Sequence, residues 1–276
     1  MFQLSGLHLP ELFILMINKF ATVAFFLLFV LSIQSCFGQY NETIRSGRPG
    51  QSIGPFTVGK GILQVQSGVE FYGFENKDFG FSGSGFVHNT VIRYGILERF
   101  EVSGLIDYRN DKFKSNGSET DASGISALDL GGRYEFFEGN GAIPTIGFQM
   151  RVRLPVLSED YQIDKIAPRF LFVTSQKLSD TFTLTTNWGG SWNGVNSVGT
   201  AVYIINLSFP ITDKLGGFVE NYGDLTDGDF DTRFDTGLTY LSNNDLQWDM
   251  LGGLGSNDGV SDYFVSVGVS LRTKRK

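Results

Sequence analysis

The chain has 276 residues and a formal net charge of −7, and 18% of its residues are charged, below the roughly 25% of ordinary soluble domains. An acidic chain with no basic cluster before Arg272–Lys276 argues against nucleic-acid binding. A mean hydropathy near zero is too low for a helical membrane protein. It fits a membrane β-barrel or a secreted all-β protein.

The N-terminal segment predicts a signal peptide over residues 1–38. The apolar run Ala21–Ile33 has the length of a signal-peptide core, and we expect translation to start at Met16 and cleavage to follow Gly38. An alternative interpretation, a spanning helix over Leu12–Ile33, is interrupted by polar residues. Cys36, the only cysteine, is either lost with the signal or lipidated as a new N-terminus, and in both cases no disulfide can form.

Residues 39–60 are rich in Gly, Pro and Ser and have no regular periodicity, so they predict a loop or an extended arm. Two interpretations remain open. The arm is either a periplasmic lead-in to the barrel, or a segment that folds into the lumen and places Arg45 and Arg48 against inward carboxylates.

Residues 61–272 repeat one pattern, seen most clearly in Thr145–Leu154, where apolar residues alternate with Thr, Gly, Gln and Arg. Period-2 alternation indicates a strand, and about nine to eleven residues cross the hydrocarbon core of a bilayer. Twelve such segments are predicted: Gly61–Phe74, Ser84–Ile96, Phe100–Arg109, Gly124–Phe136, Thr145–Leu154, Ile166–Leu178, Thr181–Trp192, Gly199–Pro210, Leu215–Tyr222, Asp231–Leu241, Leu246–Leu254 and Tyr263–Arg272. The alternation is weaker in the sixth and eighth segments, which have apolar residues on both faces, and it is ambiguous in the short ninth segment.

Every second connection between these segments is short, and the connections between the short ones are mostly longer. Outer-membrane barrels have short periplasmic turns and longer outer loops, so this parity predicts periplasmic termini. A soluble β-sandwich gives no reason for it. The fold class is therefore all-β, a transmembrane antiparallel up-and-down β-barrel of about 12 strands in the outer membrane of a Gram-negative bacterium. Its partners would be outer-membrane lipid and the barrel insertion machinery.

The inward positions of the strands are the candidate site, because opposed charges in a lumen can select solutes. They can equally form a salt-bridged plug that stabilises the barrel. We expect Arg151 and Arg153 to be the most informative positions to mutate. The predicted lumen-lining residues are Gln64, Gln66, Glu70, Arg93, Asp107, Arg109, Arg133, Glu135, Gln149, Arg151 and Arg153.

Catalysis and cofactor binding are poorly supported, and we expect no enzyme activity and no cofactor. His88 is the only histidine beyond the signal, and a barrel hydrolase would need it beside a serine and an orienting group. A weak calcium candidate is the predicted outer loop that carries Asp224, Asp227, Asp229 and Asp231. Its spacing does not match an EF-hand, and a solvated acidic loop is the simpler interpretation.

Several motifs resemble those of one bacterial family: Arg48-Pro49, Lys60-Gly61 followed by Gln64, Gln66 and Glu70, Arg93–Ile96, Glu98–Val102, and the closing Ser261-Asp262 with Val267–Ser270. Together they make residues 45–272 similar to the outer-membrane proteins named for the meta-pathway of phenol degradation. The resemblance implies a transporter-like barrel, and the phenol association suggests aromatic or hydrophobic solutes.

These observations favour a passive transporter or channel for small molecules. The alternative is a non-conducting barrel with a plugged lumen and a structural or surface-binding role. A third hypothesis, an outer-membrane hydrolase, depends on His88 alone.

Overall fold

The computed structural model describes residues 41–141, 143–257 and 260–273, and the predicted signal peptide and Cys36 lie outside them. The strands form one closed antiparallel barrel in which sequence neighbours pair and β1 also pairs with β12. The strands are β1 (Leu63–Asn76), β2 (Phe81–Leu97), β3 (Phe100–Ser115), β4 (Ser118–Phe137), β5 (Thr145–Arg153), β6 (Ala167–Lys177), β7 (Thr183–Trp192), β8 (Gly199–Pro210), β9 (Leu215–Thr226), β10 (Asp229–Asn243), β11 (Leu246–Asn257) and β12 (Val260–Arg272). The predicted fold class and the number of strands are confirmed.

Alternation along each strand separates an apolar outer surface from a polar interior. Phe71, Phe172 and Leu254 are more than half exposed on the outside, where a bilayer would cover them. Inward neighbours such as Gln64 and Asn187 are almost completely buried. A small apolar cluster, Phe218, Leu251 and Phe264, also faces the interior. Among the described residues, no helix is long and apolar enough to span a membrane.

Two ends of the barrel are distinguished below. The terminal end is where β1 begins and β12 ends, and the distal end is the opposite one. Apart from the turns, the connections contain one described helix, a 3₁₀ turn at Glu159–Tyr161 in the distal connection between β5 and β6.

The predicted lengths of several distal connections are wrong, whereas those of residues 193–198 and of the connection between β5 and β6 are correct to within about two residues. Residues 110–123 and 223–230 were expected to be loops, but β3 runs directly into β4, and β9 into β10, through two-residue turns. Both turns have positive φ at both residues, Asn116-Gly117 and Asp227-Gly228. Asn-Gly and Asp-Gly are the residue pairs that favour such hairpin turns, because their backbone twist matches that of the paired strands. The alternation of short and long connections is therefore much weaker than predicted.

Candidate functional site

The segment from Asn41 to Ile62, here called the arm, lies against inward-facing side chains of the barrel. Ile44, Val58 and Ile62 are buried, although they precede the first strand. At the terminal end, Arg272 of β12 donates hydrogen bonds to the carbonyl oxygens of Asn41 and Glu42 at 2.8 and 2.6 Å. The arm thus begins at the seam where the barrel closes.

One wall of the lumen holds the arm through a buried ion-pair cluster. Arg93 of β2 and Glu101 of β3 are each 1% exposed, and the guanidinium reaches both carboxylate oxygens at 2.8 and 2.9 Å. Arg133 of β4 lies 3.6 Å from the same carboxylate. A carboxylate between two guanidinium groups compensates charges that would be costly to bury alone.

The cluster binds the backbone of the arm directly. Arg93 donates to the carbonyls of Arg45 and Phe56 at 2.9 and 3.0 Å, and Arg133 also donates to Phe56 at 3.2 Å. The carboxylate of Glu101 accepts the Val58 amide at 2.9 Å. Within the arm, the Arg45 guanidinium lies 3.8 Å from the ring centroid of Phe56, a cation–π contact. The buried polar groups of the arm backbone and of the barrel wall therefore hydrogen-bond to each other.

Strands on the other side of the barrel hold the middle of the arm. Glu220 of β9 accepts the amides of Gln51 and Ser52 at 2.6 and 3.0 Å. The side-chain amide of Asn187 of β7 exchanges two hydrogen bonds with the backbone of Ile53, each 2.8 Å long. These contacts fix three consecutive residues of the arm across the lumen.

Arg48 extends from the arm to the last two strands. Its guanidinium lies 3.1 Å from Asp249 of β11 and donates to the Ser266 hydroxyl of β12 at 3.0 Å. Gly68 and Gly268, paired on β1 and β12, leave the space that the guanidinium occupies, because a Cβ at either position would overlap it.

The arm divides the lumen into two cavities. The distal cavity has a volume of about 510 Å³ and is lined by arm residues such as Arg48 and Gln51 and by inward residues of most strands. The terminal cavity, about 420 Å³, is lined by the opposite side of the arm and by the turn that joins β8 to β9. Arg133 borders both cavities. Each cavity is large enough for a small organic molecule.

The structure places the predicted lumen residues in three groups. The first hydrogen-bonds the backbone of the arm and comprises Gln64, Arg93 and Arg133. The second lines the distal cavity, which Arg133 also borders, and comprises Gln66, Glu70, Asp107, Gln149, Arg151 and Arg153. The remaining two lie apart. Arg109 interacts with Tyr72 and Asp111, and Glu135 lies 4.0 Å from Arg99 near the terminal end.

Sequence reasoning missed several residues that hold the arm or line the cavity, among them Asn187, Glu220 and Arg169. Glu220 lies in a segment whose alternation was ambiguous, and Arg169 lies in one with apolar residues on both faces. The signal available for Glu220 was its position between Phe218 and Tyr222 at period 2. A carboxylate between two inward aromatic residues indicates a specific partner, since a lone buried charge is costly.

His88 faces outward, away from the lumen. Its Nε2 atom lies 3.0 Å from the hydroxyl of Ser67, which also contacts the Thr90 hydroxyl at 2.9 Å. Among the described residues, nothing hydrogen-bonds Nδ1 to orient the ring as a general base requires. The pair is therefore incomplete as a hydrolytic site.

The predicted calcium loop is a hairpin. Asp224 and Asp231 are paired across β9 and β10, and Asp231 makes a 2.6 Å salt bridge with Arg233. In the part of the chain that the structure describes, no group of three or more acidic, histidine or cysteine side chains is placed to hold a metal ion. The calcium hypothesis has no support in this geometry.

A closed barrel of twelve strands with an apolar exterior and a polar interior is an outer-membrane type of β-barrel. Three solved structures share this fold with the chain. An outer membrane channel from Pseudomonas putida F1 has a TM-score of 0.63 at 12% identity, covering 83% of this chain and 100% of that one. The translocator domain of the autotransporter NalP from Neisseria meningitidis has a TM-score of 0.52 at 15% identity over 78% and 89% of the two chains. A KdgM porin in complex with disordered oligogalacturonate has a TM-score of 0.51 at 10% identity over 75% and 99%.

The chain belongs to the family described as "Putative MetA-pathway of phenol degradation", whose model matches residues 46–273. The resemblance seen in the sequence motifs is thereby confirmed. The matched range includes most of the arm as well as the whole barrel. No curated protein sequence matches the chain.

Proposed function

We propose that this protein is a passive outer-membrane channel through which a small molecule crosses from the distal cavity to the terminal cavity. The observation that carries the proposal is the pair of polar cavities on opposite sides of the arm, both inside one closed barrel and both bordered by Arg133. Residues of the arm line both cavities, so a solute that passes from one to the other would move past the arm.

The size and lining of the cavities support a small solute. Cavities of about 400 to 500 Å³ accommodate molecules of one or two rings. The distal cavity combines arginines and carboxylates with apolar side chains such as Val91, Leu105 and Leu171. Opposed charges in a narrow lumen favour particular solutes. The phenol-degradation association of the family points to solutes with an aromatic or hydrophobic body.

We place the terminal end in the periplasm. The connections at that end are residues 98–99, 138–144, 178–182, 211–214 and 244–245, whereas the longest connection in the barrel, residues 154–166, lies at the distal end. Short periplasmic turns are typical of bacterial barrels. In this orientation the distal cavity faces the outside of the cell, and the apolar outer surface contacts membrane lipid.

The test is single-channel conductance of the refolded protein in a planar bilayer. A matched variant lacks Asn41–Gln51, and both proteins are first shown to be folded by their heat-dependent gel mobility. We expect discrete current steps from the wild type and larger steps from the variant, because the deletion removes the arm's bonds to Arg272, Asp249 and Glu220.

Folded wild-type protein that never conducts, beside a deletion variant that does, would contradict the proposal and indicate a plugged barrel. Equal conductance of the two proteins would show that the path avoids the arm, and would contradict the route between the two cavities.

A further inference from the structure

Two arginines in the distal cavity have no partner among the residues that the structure describes. Arg151 of β5 and Arg169 of β6 are paired across the two strands and both face the lumen. Within the described ranges, neither guanidinium makes a hydrogen bond or an ion pair, and the Nε atom of Arg151 is buried without an acceptor. Like charges placed directly opposite each other on adjacent strands repel, so the barrel alone does not explain this pair.

The surrounding arginines are different, because each of them is already engaged. Arg153 binds both oxygens of Asp129 at 2.8 and 3.3 Å. Arg133 donates to Gln149 and to the arm, and Arg48 is paired with Asp249. The carboxylate of Asp129 is therefore occupied by Arg153.

The remaining walls of the cavity combine apolar residues with two acidic ones. Val87, Val91, Leu105 and Leu171 form apolar surface, and Glu70 lies on β1, four and five strands from the two arginines. Asp107 is bound by Asn89. Positive charge without a partner is thus concentrated on β5 and β6, beside an apolar wall.

We propose that Arg151 and Arg169 bind the carboxylate group of a small organic anion whose apolar body lies against Val91, Leu105 and Leu171. A guanidinium group presents a planar set of donors that matches the two oxygens of a carboxylate. One carboxylate between the two arginines would satisfy the buried Nε of Arg151 and remove the repulsion. The inference deepens the proposed function, because it assigns a chemical class to the solute of that channel.

Binding is tested by isothermal titration calorimetry on the folded full-length protein in detergent micelles. The probe is benzoate, and its neutral counterpart is benzyl alcohol. We expect benzoate to bind more tightly than benzyl alcohol, and Arg151→Gln and Arg169→Gln each to weaken benzoate binding about tenfold or more, since each removes charge-assisted hydrogen bonds. Arg169→Lys keeps the charge without the planar fork and should lose less affinity.

The matched control is Arg109→Gln, which removes an inward arginine that already has protein partners and does not line this cavity. Its affinity for benzoate should equal that of the wild type. Equal binding of benzoate and benzyl alcohol, unchanged binding in both Arg→Gln variants, or an equal loss in the control would overturn the proposal.

The calorimetry does not depend on conduction. A protein that binds benzoate but never conducts refutes the channel and leaves the site, and a protein that conducts but shows no preference for benzoate refutes the site alone.

Discussion

The Glu101→Gln substitution should lower the stability of the barrel. Its effect should be larger than that of replacing any other inward carboxylate with the corresponding amide. The carboxylate is 1% exposed, binds Arg93 through two hydrogen bonds and accepts the Val58 amide of the arm. It also lies 3.6 Å from Arg133. The Glu101→Gln variant keeps the volume of the side chain but leaves two buried guanidinium groups without a counter-charge.

Breaking a buried ion pair by removing one partner costs about 3–5 kcal/mol, because the other charge stays buried and uncompensated. We expect the free energy of unfolding of Glu101→Gln to fall by about that amount. The matched control is Asp129→Asn, which breaks the pair with Arg153. The Arg153 side chain is 39% exposed, so water replaces the lost partner and the cost should be about 1 kcal/mol or less.

The assay is equilibrium urea unfolding in phospholipid vesicles, followed by tryptophan fluorescence. Trypsin cleavage after Arg45 in the folded barrel reports release of the arm separately, and Glu101→Gln should accelerate it. A loss of stability no greater than that of Asp129→Asn, with unchanged cleavage of the arm, would refute the view that this buried pair holds the arm in place.

Three further predictions concern other contacts. Gly268→Ala should displace the Arg48 guanidinium, since the added Cβ overlaps it, and both Gly268→Ala and Arg48→Gln should increase conductance; equal conductance of Gly268→Ala and wild type would contradict the packing. Glu220→Gln weakens the acceptor for two amides of the arm and should increase the fraction of time spent in larger conductance states, measured in the same bilayers, whereas a smaller fraction would argue against an obstructing arm. Wild type and His88→Ala should both hydrolyse phospholipid no faster than empty vesicles do, because the His88 ring has no orienting partner among the described residues. Hydrolysis by the wild type that is lost in His88→Ala would restore the hydrolase hypothesis.

The strands were predictable because a barrel imposes one rule on every spanning segment. Lipid outside and a polar lumen inside require alternation at period 2, so β5 and β7 could be located within one or two residues from side-chain type alone. The inward direction of Arg93, Arg133 and Arg151 follows from the same rule.

The distal strand ends were not predictable by alternation. Beyond the membrane neither face of a hairpin needs to be apolar. The alternation of apolar and polar residues therefore ends there, although β3 and β4 continue. The turn signals Asn116-Gly117 and Asp227-Gly228 persisted in those segments and marked the true hairpin tips.

The position of the arm depends on contacts between residues far apart in the chain. Gln51 meets Glu220, and Arg48 meets Asp249, across separations of 169 and 201 residues. Such pairings have no local sequence signature. The charge pattern alone therefore could not distinguish an arm in the periplasm from an arm in the lumen. The unpartnered state of Arg151 was equally hidden, because it depends on Asp129 being taken by Arg153.

The bonds between Arg272 and the start of the arm have a consequence for assembly. β12 must pair with β1 to close the barrel, and a slip of one residue there would turn Arg272 from the lumen to the lipid. In that slipped seam the carbonyls of Asn41 and Glu42 would lose their donor. These two hydrogen bonds therefore stabilise the correct register of the closing strand pair relative to the register shifted by one residue.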